Sequence, residues 1–208
     1  MTDVWHYEKR AHRRGFSIVA GVDEAGRGPL AGPVVSAAVI LPPACALEGL
    51  DDSKKLTPAR REALYPRIYA RAVSVGIGIV DAPEIDRINI LQAALLSMKM
   101  AVDNLAPRPD YLLIDGKFGI AADIAQEAVV HGDQLSASVA AASVVAKVTR
   151  DRLMLGCHRQ FPQYGFDRHK GYPTRAHREA LQRFGSCVLH RRTFRGVREH
   201  RTARGTPA

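Results

Sequence analysis

The chain has few cysteines, and they form no recognisable motif. Its 208 residues contain Cys45, Cys157 and Cys187, which are odd in number, widely spaced and without a C-x-x-C pair. Disulfide-stabilised scaffolds and cysteine zinc sites both need paired or regularly spaced cysteines. The sequence therefore argues against both classes and indicates a protein of a reducing compartment.

Long hydrophobic runs are also missing. The longest apolar stretch, around residues 31–47, is interrupted by Pro33, Pro42 and Pro43, so it does not supply the roughly 20 apolar residues that a membrane-spanning helix needs. The N-terminus is too polar for a secretory signal, and there is no internal repeat or low-complexity linker. These absences predict a cytoplasmic protein without a membrane segment.

Charge is distributed unevenly along the chain. The apolar fraction of 46% and the charged fraction of 25% are ordinary for a globular protein, but the formal net charge is +9. Residues 150–208 carry 14 Lys and Arg against 4 Asp and Glu, whereas residues 1–149 carry 16 against 17. A basic C-terminal third on a neutral body predicts that one part holds a polyanion and the other processes it. For residues 198–208 a solvated basic tail is the better interpretation.

Residue patterns predict an α/β protein with a mixed sheet and a helical C-terminal part. A polar lead-in covers residues 1–17. Strand patterns cover Ile18–Asp23, Val34–Leu41, Val73–Val80, Tyr111–Asp115 and Ala128–His131. Helical patterns run from Pro58 (after the N-cap residue Thr57) to Arg71, and then over Ile90–Leu105, Ser136–Arg159 and Thr174–Phe184.

Carboxylates stand at three of the predicted strand exits. Asp23 and Glu24 end the first strand, Asp115 ends the fourth, and Asp133 follows the fifth. Functional groups of open α/β sheets gather beyond the carboxyl ends of the strands. Mg²⁺ and Mn²⁺ prefer oxygen ligands, and a two-metal phosphodiester site needs several carboxylates around ions roughly 3.5–4 Å apart. Taken singly, each acidic residue is more typical of an ordinary turn, and it is their joint occurrence on strands that could be neighbours that favours a site.

A glycine-rich segment follows the first acidic pair. Residues 26–31 match the dinucleotide-binding pattern G-x-G-x-x-A, but that interpretation requires a helix to begin there. Pro29 and Pro33, followed by two valines, favour a strand instead. The glycines would then allow a nucleic-acid strand to approach the backbone closely.

Ser143 and Lys147 lie four residues apart, on one face of the predicted long helix. Both could reach a phosphate. The alternative is that Ser143 bonds back to its own helix and that Lys147 pairs with Asp151 along it.

Aromatic and basic residues alternate in the loop at residues 161–173. Such a loop can contact nucleic acid by stacking and by charge. Tyr172 is the best candidate for an exposed ring, while Phe161 and Phe166 are at least as well explained as anchors of the loop. Five histidines show no metal-ligand spacing and predict no site: His6, His12, His158, His177 and His200.

Five motifs in order resemble bacterial ribonuclease HII. They are VDEAGRG at residues 22–28, DSKKL at 52–56, IDG at 114–116, AAASVVAKVTRD at 140–151 and HKGY at 169–172. The resemblance covers residues 18–197, nearly the whole chain. Only 17 residues precede the first strand, so the resemblance implies that the additional N-terminal domain of the related ribonuclease HIII is absent.

The resemblance implies a ribonuclease H fold, in which a mixed five-stranded sheet carries helices on its faces and a C-terminal helical portion helps to grip the duplex. It implies hydrolysis, dependent on Mn²⁺ or Mg²⁺, of the RNA strand of RNA–DNA hybrids, with 5′-phosphate and 3′-hydroxyl products. It also implies nicking on the 5′ side of a single ribonucleotide embedded in DNA. The family's metal-binding catalytic carboxylates fall on Asp23, Glu24, Asp115 and Asp133.

The resemblance also implies how substrate is bound. Gly26, Arg27 and Gly28 match the reader of the ribose–deoxyribose junction, and Tyr172 matches the tyrosine that stacks on the deoxyribose beyond it. The 2′-hydroxyl is the group that distinguishes RNA from DNA at such a site. Three further residues fall in segments near the substrate phosphates: Lys54, Ser143 and Lys147.

The resemblance places the catalytic domain at residues 18–197, after the lead-in and before the tail. We expect a monomer without an obligate protein partner. Two alternatives remain open, which are a non-catalytic hybrid-binding module and a DNA nuclease of the same fold.

Overall fold

A mixed five-stranded sheet forms the centre of the molecule. The structure, a computed structural model, describes residues 3–43, 45, 47–50 and 56–200. The strands are β1 (Val19–Ala25), β2 (Val34–Ile40), β3 (Ser74–Val80), β4 (Tyr111–Asp115) and β5 (Ala125–Val129). They are ordered β3-β2-β1-β4-β5, with β1, β4 and β5 parallel and β2 antiparallel to both β1 and β3. This is the predicted mixed sheet.

Helices cover both faces of the sheet and form the C-terminal part. They are α1 (His6–Arg13), α2 (Pro58–Arg71), α3 (Ala82–Ile88), α4 (Ile90–Asp103), α5 (Gly132–Leu135), α6 (Ala137–Gln160), α7 (Phe166–His169) and α8 (Arg175–Phe184), with 3₁₀ turns at Pro162–Tyr164 and Arg198–His200. One apolar cluster joins α6 and α2 to one face of the sheet, and another joins α4 to the opposite face. Throughout the part of the chain that the structure describes, no helix has the length and apolarity to cross a membrane.

Helix α6 lies directly on β1. A Cβ atom built on Gly21 would be 2.1 Å from the carbonyl carbon of Ser138, so only glycine permits this contact. The side chain of Ser136 caps the helix by accepting a hydrogen bond from the backbone N–H of Val139. The packing brings the middle of α6 against the carboxyl end of β1, where Asp23 lies.

Two elements differ from the patterns in the sequence. The polar lead-in contains helix α1, whose Glu8 is buried and accepts hydrogen bonds from the hydroxyls of Ser136 (2.6 Å) and Ser138 (2.7 Å). The last strand is Ala125–Val129 rather than Ala128–His131, because β5 is an edge strand with largely exposed side chains and lacks a clear apolar alternation. His131 instead has a left-handed backbone, with φ 59°, and precedes α5.

The C-terminal part is anchored to the body by the loop aromatics. Phe166 is fully buried and packs with Met154 and Tyr164, and Phe161 lies at the edge of the same cluster. The interpretation of Phe161 and Phe166 as anchors is therefore confirmed. The arrangement fixes the segment that carries Tyr172 relative to α6.

Candidate active site

Asp23 and Asp115 lie side by side at the carboxyl ends of β1 and β4. The two strands are parallel and Val22 pairs with Ile114, so the next residue of each strand is an aspartate at the same edge of the sheet. Asp23 is only 3% exposed. Burial raises the pKa of its carboxyl group well above the usual range, and the negative charges of Glu24 and Asp115 raise that pKa further.

Two hydrogen bonds act in the opposite direction on Asp23. The backbone N–H of Glu24 donates to Oδ1 at 2.7 Å, and the hydroxyl of Ser143 on α6 donates to the same carboxylate. Both bonds favour the ionised form and lower the pKa of Asp23. A buried carboxylate is thus held in a fixed orientation beside two other acidic groups.

Glu24 extends this acidic cluster towards the glycine-rich turn. Its Oε1 accepts a hydrogen bond of 3.3 Å from Nη1 of Arg27. The guanidinium of Arg27 is about half exposed, whereas the Glu24 side chain is mostly covered. The pair therefore connects the cluster to the surface at which a substrate would arrive.

Asp133 lies in α5, the short helix that follows β5, and not at a strand exit as its sequence pattern predicts. The backbone N–H of the preceding residue, Gly132, donates to Oδ1 of Asp115 at 2.8 Å. Asp133 is therefore one residue from a direct contact with Asp115, and it is buried. Helix α5, and not the strand itself, brings this part of the chain to the acidic edge.

The acidic residues provide the oxygen donors that Mg²⁺ and Mn²⁺ prefer. The negative charges of Glu24 and Asp115 repel that of Asp23, and a cation beside these carboxylates would relieve this repulsion. Over residues 3–43, 45, 47–50 and 56–200, no three His, Cys, Asp or Glu side chains are already arranged as a ready-made metal site. The donor chemistry of these carboxylates fits a divalent cation.

The glycine-rich turn faces the ring of Tyr172. No helix begins at this turn, and strand β2 starts at Val34, so the dinucleotide-binding interpretation is excluded. A Cβ atom built on Gly28 would lie 3.9 Å from Cε1 of Tyr172, and the Tyr172 side chain is 40% exposed. The prediction that Tyr172 is exposed is confirmed, and its ring lies over backbone that carries no side chain.

Lys147 adds a positive charge to the same surface. Its Nζ is 5.7 Å from the centre of the Tyr172 ring and 2.7 Å from Oδ1 of Asp151. The predicted pair along the helix is therefore present. The lysine lies next to a ring that a sugar could contact.

Two other candidates for phosphate contact have different positions. Ser143 is buried against Asp23 and faces the acidic cluster from below. Lys54 lies outside the residues that the structure describes.

Two functional-site neighbours had no signal in the sequence. Arg150 and Arg191 are fully buried and donate to backbone carbonyls of the glycine-rich segment. A buried arginine has the same sequence signature as an exposed one, because its role depends on carbonyls that are distant along the chain.

Comparison with known proteins identifies close relatives over most of the chain. A family model described as Ribonuclease HII matches residues 20–197. A ribonuclease HII of Geobacter sulfurreducens is 55% identical over 197 residues, which are 95% of this chain and 91% of that protein. The crystal structure of ribonuclease H2 from Pyrococcus horikoshii has a TM-score of 0.73 at 28% identity and covers 88% of this chain and 96% of its own. RNase HII in a complex with PCNA, from Archaeoglobus fulgidus, has a TM-score of 0.74 at 25% identity, with 86% and 96% covered.

Proposed function

Because this chain belongs to the ribonuclease HII family, we propose that it is a metal-dependent endonuclease that hydrolyses the RNA strand of RNA–DNA hybrids. We further propose that it nicks duplex DNA on the 5′ side of a single embedded ribonucleotide and leaves 5′-phosphate and 3′-hydroxyl ends. The observation that supports this most directly is the placement of the acidic cluster next to an exposed surface made of a glycine turn, Tyr172 and Lys147.

The metal ligands in this proposal are the four carboxylates of the cluster: Asp23, Glu24, Asp115 and Asp133. The repulsion of Asp23 by Glu24 and Asp115 supports a site for Mn²⁺ or Mg²⁺. When bound, such ions supply an activated water and stabilise the leaving oxygen of a phosphodiester. The protein itself holds Asp23 in place through Ser143 and the backbone of Glu24.

Recognition of the junction is assigned to the turn and the tyrosine. In the turn of Gly26, Arg27 and Gly28, the two glycines leave the backbone uncovered, so a ribose can approach closely and the backbone polar groups can reach its 2′-hydroxyl. Tyr172, over Gly28, offers an apolar ring to the next sugar, which lacks that hydroxyl. Lys147 beside the ring is placed to neutralise a phosphate.

The basic C-terminal third would hold the rest of the duplex. Helix α8 carries three arginines on its exposed side, Arg175, Arg178 and Arg183. Contacts of this kind attract the phosphate backbone without reading sequence, and they weaken as salt rises. The division into a basic gripping part and an acidic reacting part agrees with the charge distribution along the chain.

We place the catalytic domain at residues 18–197, with residues 1–17 as a lead-in that docks α1 against α6 and residues 198–208 as a basic tail. The proposed enzyme is a cytoplasmic monomer that needs no obligate protein partner. The relative from Archaeoglobus fulgidus forms a complex with PCNA, so a DNA sliding clamp is the partner to test by size-exclusion chromatography.

The decisive experiment is cleavage of a labelled DNA duplex that carries one ribonucleotide, with Mn²⁺ or Mg²⁺, beside an all-DNA duplex. We expect one nick immediately 5′ of the ribonucleotide, which is absent from the all-DNA control and from the Asp23→Asn variant. Cleavage of the all-DNA duplex would favour a DNA nuclease of the same fold. Salt-sensitive binding without cleavage of this duplex or of a long RNA–DNA hybrid would leave only a binding module.

A further inference from the structure

Two arginines are buried completely beneath the proposed junction-reading surface. Arg150 in α6 and Arg191 near the C-terminus are each 0% exposed. In the portion of the chain that the structure describes, neither takes part in an ion pair. Because a buried charge is costly unless its donors are satisfied, the partners of these guanidinium groups indicate what they are for.

Arg191 is bonded to the glycine-rich segment from below. Its guanidinium donates to four backbone carbonyls of that segment, those of Gly26 (2.5 Å), Arg27 (2.9 Å), Pro29 (2.8 Å) and Gly32 (3.1 Å). One side chain thus holds the backbone on both sides of Gly28. A lysine has a single nitrogen and could not reproduce this fork of donors.

Arg150 joins that segment to the one that carries the tyrosine. Its guanidinium donates to the carbonyls of Pro33 (2.9 Å), Ala31 (3.1 Å) and Lys170 (3.0 Å). Its Cζ lies 5.9 Å from the centre of the Tyr172 ring. A single guanidinium therefore fixes two loops that are more than a hundred residues apart in sequence.

Contact between Arg150 and the turn itself is equally close. Gly26 has φ +105°, and a Cβ atom built on it would be 2.1 Å from Nε of Arg150. Glycine at this position is thus required both by the backbone conformation and by the arginine. The turn and Arg150 can pack together in this way only if residue 26 is glycine.

Backbone hydrogen bonds complete the same connection. The N–H of Leu30 donates to the carbonyl of Gly171 (2.8 Å), and the N–H of Arg191 donates to the carbonyl of Leu30 (2.9 Å). Three segments of the chain therefore meet at Leu30. The two arginines donate hydrogen bonds to other backbone carbonyls of these segments.

We propose that Arg150 and Arg191 are positioning residues that fix the Gly26–Gly28 turn and Tyr172 relative to each other, and that they thereby set the selectivity for duplex DNA with a single ribonucleotide. This inference rests on the proposed function. An embedded ribonucleotide offers a single ribose-to-deoxyribose junction, which must be read by two elements at once. A continuous RNA strand offers a ribose at every step, so its cleavage depends less on their spacing.

The test compares two substrates with the Arg191→Lys variant, which keeps the charge but loses the fork of donors. Since a displacement of about 1 Å can cost about 100-fold in rate, we expect kcat/KM on the single-ribonucleotide duplex to fall by about 10- to 100-fold. On a long RNA–DNA hybrid the fall should be much smaller. Arg150→Lys should change the ratio of the two rates in the same direction.

Hydrogen exchange supplies a measurement that does not depend on catalysis. Amides of residues 26–33 and 169–173 should exchange faster in Arg191→Lys than in wild type, while those of β1 and β4 remain unchanged. Val102→Ala is the matched control, because it removes buried volume from α4 on the opposite face of the sheet. A loss of stability alone should lower both activities equally in that variant.

Asp86→Ala covers the case in which the arginine variants do not fold. The carboxylate of Asp86 accepts hydrogen bonds from the backbone N–H groups of Arg192 (2.7 Å) and Thr193 (2.9 Å), and so holds the segment next to Arg191 from the surface. This variant should shift the substrate ratio in the same direction, by a smaller factor.

The outcomes separate the two levels of the proposal. An unchanged substrate ratio and unchanged exchange in Arg191→Lys, or in Asp86→Ala if the arginine variants do not fold, would overturn the positioning role while leaving the nuclease intact. A wild-type protein that cleaved neither substrate would overturn the proposed function and, with it, the role in selectivity.

Discussion

The hydroxyl of Ser143, in the second turn of α6, donates a hydrogen bond to the carboxylate of Asp23 near the end of β1. The sequence places Ser143 one helical turn from Lys147 and suggests that both contact phosphate. The structure instead buries Ser143 beneath the acidic cluster. Its first effect is on the orientation and charge of a carboxylate that we propose as a metal ligand.

Ser143→Ala should therefore raise the metal concentration that the enzyme needs for cleavage. Loss of a group that orients a metal ligand typically costs about 10- to 100-fold in metal affinity or activity. We expect the Mn²⁺ concentration for half-maximal cleavage to rise within that range, with a smaller effect on KM for the nucleic acid. If KM for the duplex rose instead, Ser143 would be a substrate contact.

Ser97→Ala is the control for this variant. Ser97 is also a buried helical serine, and its hydroxyl bonds to that of Ser36 at 2.6 Å. It lies on the opposite face of the sheet, so its removal should leave the metal dependence unchanged.

Asp23→Asn should abolish cleavage and at the same time stabilise the metal-free protein. The pKa of Asp23 is raised in the folded state, so its ionisation at neutral pH opposes folding; the amide has the same shape and removes that cost. Thermal unfolding in EDTA at pH 7.5 should give a higher Tm, at roughly 2–4 °C for each kcal/mol gained.

A carboxylate outside the cluster provides the comparison for this variant. Asp110 accepts hydrogen bonds from the backbone N–H groups of Ser17 and Ile18, and Asp110→Asn should not raise Tm. A lower Tm for Asp23→Asn than for wild type would contradict the charge argument.

Those parts of the site that depend on local sequence could be predicted. A strand pattern followed directly by an acidic residue locates Asp23 and Asp115, and the spacing of four along a helix locates the pair Lys147–Asp151. In each case the sequence pattern and the structural feature that it predicts involve residues close together along the chain.

Other parts depend on contacts between distant segments and left no local signal. Glu8 looks like a solvated acid in a polar stretch, yet it is buried against Ser136 and Ser138. The four carbonyls that bind Arg191 belong to a turn about 160 residues earlier in the chain. No pattern within a window of residues can report such a partner.

Gly21→Ala should destabilise the protein and reduce activity together. The added Cβ would lie 2.1 Å from the backbone of Ser138, so α6 must move away from β1. Overpacking of this kind costs about 1–3 kcal/mol or more, and it also separates Ser143 from Asp23. Urea unfolding and the cleavage assay measure the two effects.

Gly156→Ala is the matched control for that substitution. Gly156 lies in the same helix, and a Cβ atom there would meet only the end of the Arg159 side chain at 4.0 Å. Alanine in a helix is favoured over glycine by about 1 kcal/mol, so this variant should be more stable than wild type. Equal stability changes in the two variants would exclude close helix–strand contact at Gly21.

Two buried histidines and the backbone N–H of Cys187 form a chain of hydrogen bonds with a defined direction beneath Tyr172. The backbone N–H of Cys187 donates to Nδ1 of His190 (3.0 Å), so Nε2 of His190 carries the proton and donates to Nε2 of His177 (3.1 Å). His177 then donates through Nδ1 to the carbonyl of Tyr172 (3.0 Å). Both rings are therefore neutral, and a second proton on either would replace an accepted hydrogen bond by a repulsion.

This chain of hydrogen bonds predicts that the protein loses stability in mild acid. Burial lowers the pKa of His177 to about 4 and that of His190 to about 3, whereas in the unfolded chain both take up protons near pH 6.5. Between those values the unfolded state binds more protons, so the free energy of unfolding falls as pH falls, by up to about 1.4 kcal/mol per pH unit for each histidine. Urea midpoints at pH 7 and pH 5 measure this slope.

His190→Gln should reduce that slope without abolishing it, because His177 and the adjacent His169, whose pKa values burial also lowers, remain. His158→Gln is the control, since His158 is partly exposed beside Asp167 and lies outside the chain of hydrogen bonds. The chain of hydrogen bonds ends on the carbonyl of Tyr172, so mild acid should also release the Tyr172 segment before global unfolding. Hydrogen exchange of residues 169–173 would detect this release. A slope that is the same in wild type and His190→Gln would mean that His190 is not held neutral by its surroundings.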